Sequence, residues 1–154
     1  MKNKEKVYSI AAIVLMLDQL MKVLIKSKMF LHQEIKVIPN FFSLYYIENQ
    51  GAAFSILQRQ SFLLILISIL CLVMIDRYIS KEKDFSKLSI CSLGIILGGI
   101  VGNLVDRILY QKVIDYISLT VGSYSFPVFN IADIGITIGI LMLFIESIWK
   151  KKLT

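Results

Sequence analysis

Asp18, Lys22, Asp106, Arg107, Asp115 and Asp133 are ionisable side chains that stand within or beside the apolar runs of this chain. Placing one charge in hydrocarbon costs roughly 2.5–3.5 kcal/mol even on a lenient insertion scale, so such groups face a bundle interior and tend to serve function. Asp18 and Lys22 are four residues apart, share one face of a helix and can neutralise each other, which reads as a structural ion pair steadying a span. Asn103 and Asp106 are three apart, with Arg107 directly after. A guanidinium beside a carboxylate keeps the carboxylate ionised, so Asp106 and Arg107 read as structural support or substrate positioning. Asp115 follows Val113-Ile114 with no neighbouring cation, and Asp133 opens another apolar run after Phe129-Asn130-Ile131-Ala132. Two close carboxylates in a low-dielectric site cannot both ionise, and one stays protonated at neutral pH. One can then deprotonate a water while the other protonates or hydrogen-bonds a peptide carbonyl. Peptide hydrolysis by paired aspartates is one reading of these acids; a proton or cation relay is the other, and the physics alone leaves both open.

Absences narrow the chemistry. There is no HExxH helix motif, no GxSxG elbow, and His32 is the single histidine, so a metal centre is not expected. Cys71 and Cys91 lie in apolar segments outside any CxxC and read as packing residues. A serine–lysine dyad is not excluded by spacing, but Lys22 already has Asp18 as a partner.

The elements that must position these groups are membrane helices. With 56% hydrophobic and only 18% charged residues, and a mean hydropathy of +0.72, the chain carries too little charge to surface a soluble domain. Its 154 residues allow one compact membrane domain. Four apolar segments, about 7–25, 60–79, 88–105 and 131–149, each approach the ~20 residues needed to cross the hydrocarbon core. The second is short, but Arg59 and Arg77 can snorkel at its ends. Lys2, Lys4 and Lys6 before an apolar stretch resemble a signal peptide; Asp18 and Lys22 interrupt that stretch and no small-residue cleavage site follows, so a retained span is expected. The net charge of +6 sits in clusters at the ends of apolar runs without a basic face, which argues against nucleic acid. Ten of those cations fall in the amino-terminal tail, the loop between spans two and three and the carboxy-terminal tail; six fall in the other loops. Both termini are therefore expected in the cytoplasm.

The two loops on the opposite side, about 28–59 and 108–130, contain β-branched and aromatic runs. Ile35–Ile38 and Phe41–Ile47 flank the turn signal Pro39-Asn40, and Val113–Leu119 precedes Gly122-Ser123, so short strands at the membrane surface are expected. Gly98 and Gly102 make a small-xxx-small step for close helix packing. Gly51-Ala52-Ala53-Phe54 after Asn49 would let backbone approach a bound peptide.

Five blocks in order, covering nearly the whole chain, resemble the bacterial lipoprotein signal peptidases, or signal peptidase II. They are Asp18-Gln19-Leu20-Met21-Lys22, Asn49-Gln50-Gly51-Ala52-Ala53-Phe54, Gly98 to Arg107, Val113-Ile114-Asp115-Tyr116, and Phe126 to Asp133. Met21 stands where small polar residues are common in that family and Tyr116 where phenylalanine is usual, and neither removes a catalytic group. The resemblance implies an all-α membrane protein of four spans with a small β-rich extracytoplasmic surface subdomain, and a location in the bacterial cytoplasmic membrane with the active site near its outer face. It implies an aspartic endopeptidase that removes signal peptides from diacylglyceryl-modified prolipoproteins, on the amino side of the lipidated cysteine, without cofactor or metal. Asp115 and Asp133 would be the catalytic pair. Asn49, Gly51, Asn103, Asp106, Arg107, Asn130, Asp18 and Lys22 would bind substrate or support the site. The expected partners are lipidated prolipoproteins and membrane lipids, with the protein itself a monomer. The readings set against this are a small proton- or ion-conducting protein and a non-catalytic assembly subunit.

Overall fold

The described residues form four long helices and four strands, as seen in a computed structural model that describes residues 2–51, 60–82 and 84–153, and side chains for 3–51, 60–82 and 84–150. The expectations placed on Ala52, Ala53, Phe54 and Arg59 lie outside the described residues. In chain order the elements are α1 (Lys2–Lys28), β1 (Glu34–Ile38), β2 (Phe42–Asn49), α2 (Ser61–Lys81), α3 (Lys87–Tyr110), β3 (Val113–Val121), β4 (Tyr124–Ser125) and α4 (Ile131–Leu153). All four helices are long and apolar enough to cross a membrane. Each runs past the expected apolar segment, because polar residues such as Lys26, Lys28 and Arg107 extend the helical turns beyond the hydrocarbon.

α3 is the central helix and buries most of its surface, whereas α1, α2 and α4 turn large apolar side chains such as Leu17, Met74 and Phe144 outward. Outward apolar faces are what a lipid solvent selects, since only the internal backbone hydrogen bonds need satisfying there. Small residues bring the helices together. A Cβ on Gly98 would lie 2.6 Å from the Ala11 carbonyl oxygen, and one on Gly99 would lie 2.5 Å from that of Ala132. Neighbouring faces of α3 therefore touch α1 and α4 backbone to backbone, the close approach that small residues permit in membranes. Gly99→Ala forces α3 and α4 apart, because the obstructing atom is main chain and cannot rotate away. The expected cost is about 1–3 kcal/mol of stability, read as a lowered melting temperature in detergent; an unchanged melting temperature would contradict this packing.

Helix order fixes where the ends lie. Gly94 packs on Val7 and Ile10, and Gly102 on Asp18, so α1 and α3 run parallel. Ser86 and Ser89 at the start of α3 donate hydrogen bonds of 2.7 and 2.6 Å to Glu146 near the end of α4, so those two run antiparallel. At the same end Lys4 reaches Ser80 and Asp76 on α2. The sheet caps the other end. Its order is β1-β2-β3-β4, all antiparallel, with β1–β2 turning through Asn40, whose φ of 58° is a left-handed conformation that asparagine tolerates. β2 and β3 come from different loops. Their register sets Ile47 opposite Asp115 and Asn49 opposite Val113, so the two loops form one sheet. Tyr46, Ile114 and Tyr116 pack that sheet onto Ile25 of α1 and Met29 just past its end.

Candidate active site

The motif Asn130-Ile131-Ala132-Asp133 starts α4 by capping it reciprocally. The Asp133 amide donates to Asn130 Oδ1 at 3.0 Å, and the Asn130 amide donates to Asp133 Oδ2 at 3.2 Å. This is the geometry of a capping box, with each side chain satisfying an amide that the helix end leaves over. Both capping side chains also look into the protein. Asn130 Nδ2 donates to Asp115 Oδ1 at 2.7 Å, while Asn103 Nδ2 donates to Asp133 Oδ1 at 2.8 Å. Asn130 therefore holds both aspartates, one through its side-chain amide and one through its backbone. Asn49, at the end of β2, donates to the other Asp115 oxygen, Oδ2, at 2.9 Å. Its own orientation is set by the Gly51 amide on Asn49 Oδ1 at 2.9 Å.

Beneath this layer lies a buried ion cluster. Lys22 Nζ sits 2.8 Å from Asp18 Oδ2 and 2.9 Å from Asp106 Oδ2, and donates to Asn103 Oδ1 at 3.0 Å. All three charged side chains are at most 2% exposed. Asp18 Oδ1 also accepts the Ala132 amide at 3.0 Å, and Asp106 Oδ2 accepts the Ile114 amide at 3.2 Å. The cluster thus pins the start of α4 and the residue preceding Asp115. Gln19, a site residue beyond those expected from the sequence, donates to Asp18, Asp106 and the Gly102 carbonyl at 3.0–3.2 Å. A polar side chain beside Asp18 in an apolar run was the available signal.

One expectation is corrected. Asp106 is paired with Lys22, not with Arg107. Consecutive helix residues point about 100° apart, so sequence adjacency does not bring their side chains together. Arg107 instead donates to the Gly51 carbonyl at 3.2 Å and lines the cavity with Asp115 and Asp133. The Asp18–Lys22 pair forms as expected and gains Asp106 as a third member.

Asp115 and Asp133 open on a cavity of about 620 Å³ whose walls include Asn49, Asn103 and Arg107. Its remaining walls are mainly apolar, with Phe126, Phe129, Ile134 and Ile138 among them. Burial, reinforced by the charge of Asp133, pushes the Asp115 carboxyl from 3.8 up to about 7, against the opposing hydrogen bonds of Asn49 and Asn130 and the charge of Lys22. Near neutrality such a group exchanges its proton readily, which suits acid–base work. Among the described residues no cluster of His, Cys, Asp and Glu has the form of a metal site.

Fold and site together define a polytopic membrane protein with a buried and a half-buried aspartate, Asp115 and Asp133, facing one cavity at the sheet-capped end of a four-helix bundle. The profile of the family described as signal peptidase (SPase) II matches residues 10–149. A lipoprotein signal peptidase of Maridesulfovibrio salexigens is 38% identical over 148 residues, covering 93% of this chain and 94% of the relative. That of Geobacillus kaustophilus is 40% identical over 139 residues, covering 90% of each. A bacterial membrane enzyme solved by the in meso method at 2.3 Å superposes with a TM-score of 0.89 at 30% identity, over 94% of this chain and 88% of that one. This chain belongs to the signal peptidase II family.

Proposed function

We propose that this protein removes signal peptides from diacylglyceryl-modified prolipoproteins, cleaving on the amino side of the lipidated cysteine, with Asp115 and Asp133 as the catalytic pair. The observation that carries the reading is two carboxyl groups, Asp115 buried and Asp133 half-buried, facing one largely apolar cavity, each held by asparagine amides. The similarity to relatives named lipoprotein signal peptidase supports the substrate class. In the mechanism, the pair holds a single proton. The ionised carboxylate takes a proton from a water that attacks the scissile carbonyl carbon, and the protonated partner donates to the carbonyl oxygen. Collapse of the tetrahedral adduct breaks the C–N bond: the carboxyl that gained a proton passes it to the leaving amine, and the hydroxyl formed from the carbonyl oxygen returns its proton to the partner, restoring the single proton on the pair. Asn49, Asn103 and Asn130 act as positioning residues. Gly51 orients Asn49, and Arg107 ties the Gly51 carbonyl to α3. Asp18, Lys22 and Asp106 hold the framework beneath.

The apolar walls suit acyl chains, with the signal helix lying alongside the bundle. The lysine and arginine bias supports cytoplasmic termini and a site at the outer face of the bacterial membrane. A monomer contains every residue this mechanism uses. A proton relay would use acids strung out along the membrane depth, whereas Asp106, Asp115 and Asp133 gather at the sheet-capped end, linked through Lys22, Asn103 and Asn130.

Two outcomes test the reading. Purified protein should cleave a lipidated precursor and leave its unlipidated form largely uncut; equal turnover of both would refute the assigned specificity. The pH profile should follow the proton on the pair. Below about 7 the pair retains its proton, and above it the second ionisation removes the acid, so kcat/KM should fall about tenfold per pH unit on the alkaline side. Asn49→Ala removes a hydrogen bond that favours the ionised form of Asp115, and should move that limb to higher pH. A limb that stays in place would show that Asn49 does not tune the pair.

A further inference from the structure

At the end of the bundle opposite the sheet, a second crevice of about 610 Å³ opens between α1 and α3. Its floor is apolar, formed by Ile10, Ile90 and Cys91, and its rim carries Lys6 and Lys87. Both lysines are exposed, and neither makes an ion pair or hydrogen bond among the described residues. They differ in this from Lys4, which engages Asp76, and from Lys150, which engages Glu146. Glu5 shares the rim, so the crevice keeps a net positive charge of one. The contact of Gly94 with Ile10 and the Val7 carbonyl closes the helices together just beyond it. The crevice is therefore short: cationic at its mouth, apolar within, and open along the side of a membrane helix pair.

We propose that this crevice is a binding site for an anionic phospholipid, with the phosphate between Lys6 and Lys87 and the first acyl segment over Ile10 and Ile90. Charge and polarity choose this occupant. A soluble anion would leave the apolar floor uncovered, and a zwitterionic lipid brings its own ammonium to the two lysines. Basic pockets between membrane helices hold anionic headgroups by this combination of point charges and desolvated alkyl contact. The site lies at the opposite end of the bundle from the aspartates, so a lipid there stays bound throughout turnover and ties α1 to α3.

Native mass spectrometry of the full chain released from nanodiscs provides the test. With phosphatidylglycerol discs, the wild type should retain one phospholipid adduct, and with phosphatidylcholine discs it should retain none at the same activation energy. Lys6→Ala with Lys87→Ala should weaken retention by about tenfold or more, while Arg77→Ala with Lys81→Ala should leave it intact. The second pair removes the same charge from α2, outside the crevice. The melting temperature of each variant in phosphatidylcholine discs, compared with the wild type, reports that each is folded. Equal loss in both double variants would reduce the effect to general surface charge and overturn the site, as would adducts that persist without Lys6 and Lys87. Neither result depends on the catalytic assignment.

Discussion

Asp115→Asn and Asp133→Asn should each lower the rate of precursor cleavage by about 10³-fold or more while leaving the fold in place. General acid–base catalysis by one positioned group is worth roughly 10²–10⁴ in rate, and in the proposed mechanism each carboxyl serves as acid in one step and base in another. Asparagine keeps the shape of aspartate and can neither take a proton from water nor pass one to the carbonyl. The two losses should not add. Once either member is neutral and proton-inert, the other has no partner with which to share a proton, so the double variant should be no slower than the worse single one. Stability is expected to hold, because neither aspartate is the partner of a buried cation. Asp115 is held by Asn49 and Asn130, and Asp133 by Asn103 and the Asn130 amide. Cleavage at more than a tenth of the wild-type rate by either variant would remove that residue from the mechanism.

Lys22→Met should have the largest effect on stability, roughly 3–5 kcal/mol, the cost of leaving a buried charge unpaired. Its ammonium is the cation between Asp18 and Asp106, at 2.8 and 2.9 Å, and it also fixes the Asn103 carbonyl oxygen. Without it two carboxylates face each other in a site closed to water. The expected result is a fall of many degrees in melting temperature, or little folded protein recovered in detergent. The control adds Asp18→Asn and Asp106→Asn to the same chain. Removing all three charges should recover much of the lost stability, since a buried ion cluster is weak evidence of net stabilisation whereas a broken one is costly. Melting within a degree or two of the wild type for Lys22→Met alone would show that the cluster is not buried as described.

Much of this framework is legible in the residues. Long apolar runs announce the four helices, and the ionisable residues interrupting them announce where the interior must be polar. Asn130 and Asp133 at a spacing of three before an apolar run encode the helix start as well as two of the site side chains. Pairing across the chain is less visible. The union of β2 with β3 depends on two strands 71 residues apart by their Phe42 and Val113 starts, a non-local match that neither loop specifies alone. The partner of Asp106 is hidden for the same reason. Arg107 is its neighbour in sequence, but Lys22 on α1 is its neighbour in space, and the glycines along α3 are what bring that helix within reach. Gln19 shows the converse: its position beside Asp18 is plain, yet its three acceptors come from two different helices.

The shared proton can be observed without substrate. Isotope-edited infrared spectroscopy of protein carrying labelled aspartate should show a protonated carboxyl stretch at pH 6 that fades as pH rises through about 7. In Asp133→Asn the surviving Asp115 loses the repulsion that helps hold its proton, so its band should fade at lower pH. A wild-type spectrum with no protonated aspartate at pH 6, or one whose band is unchanged when Asp115 and Asp133 are both asparagine, would contradict the paired-carboxyl account.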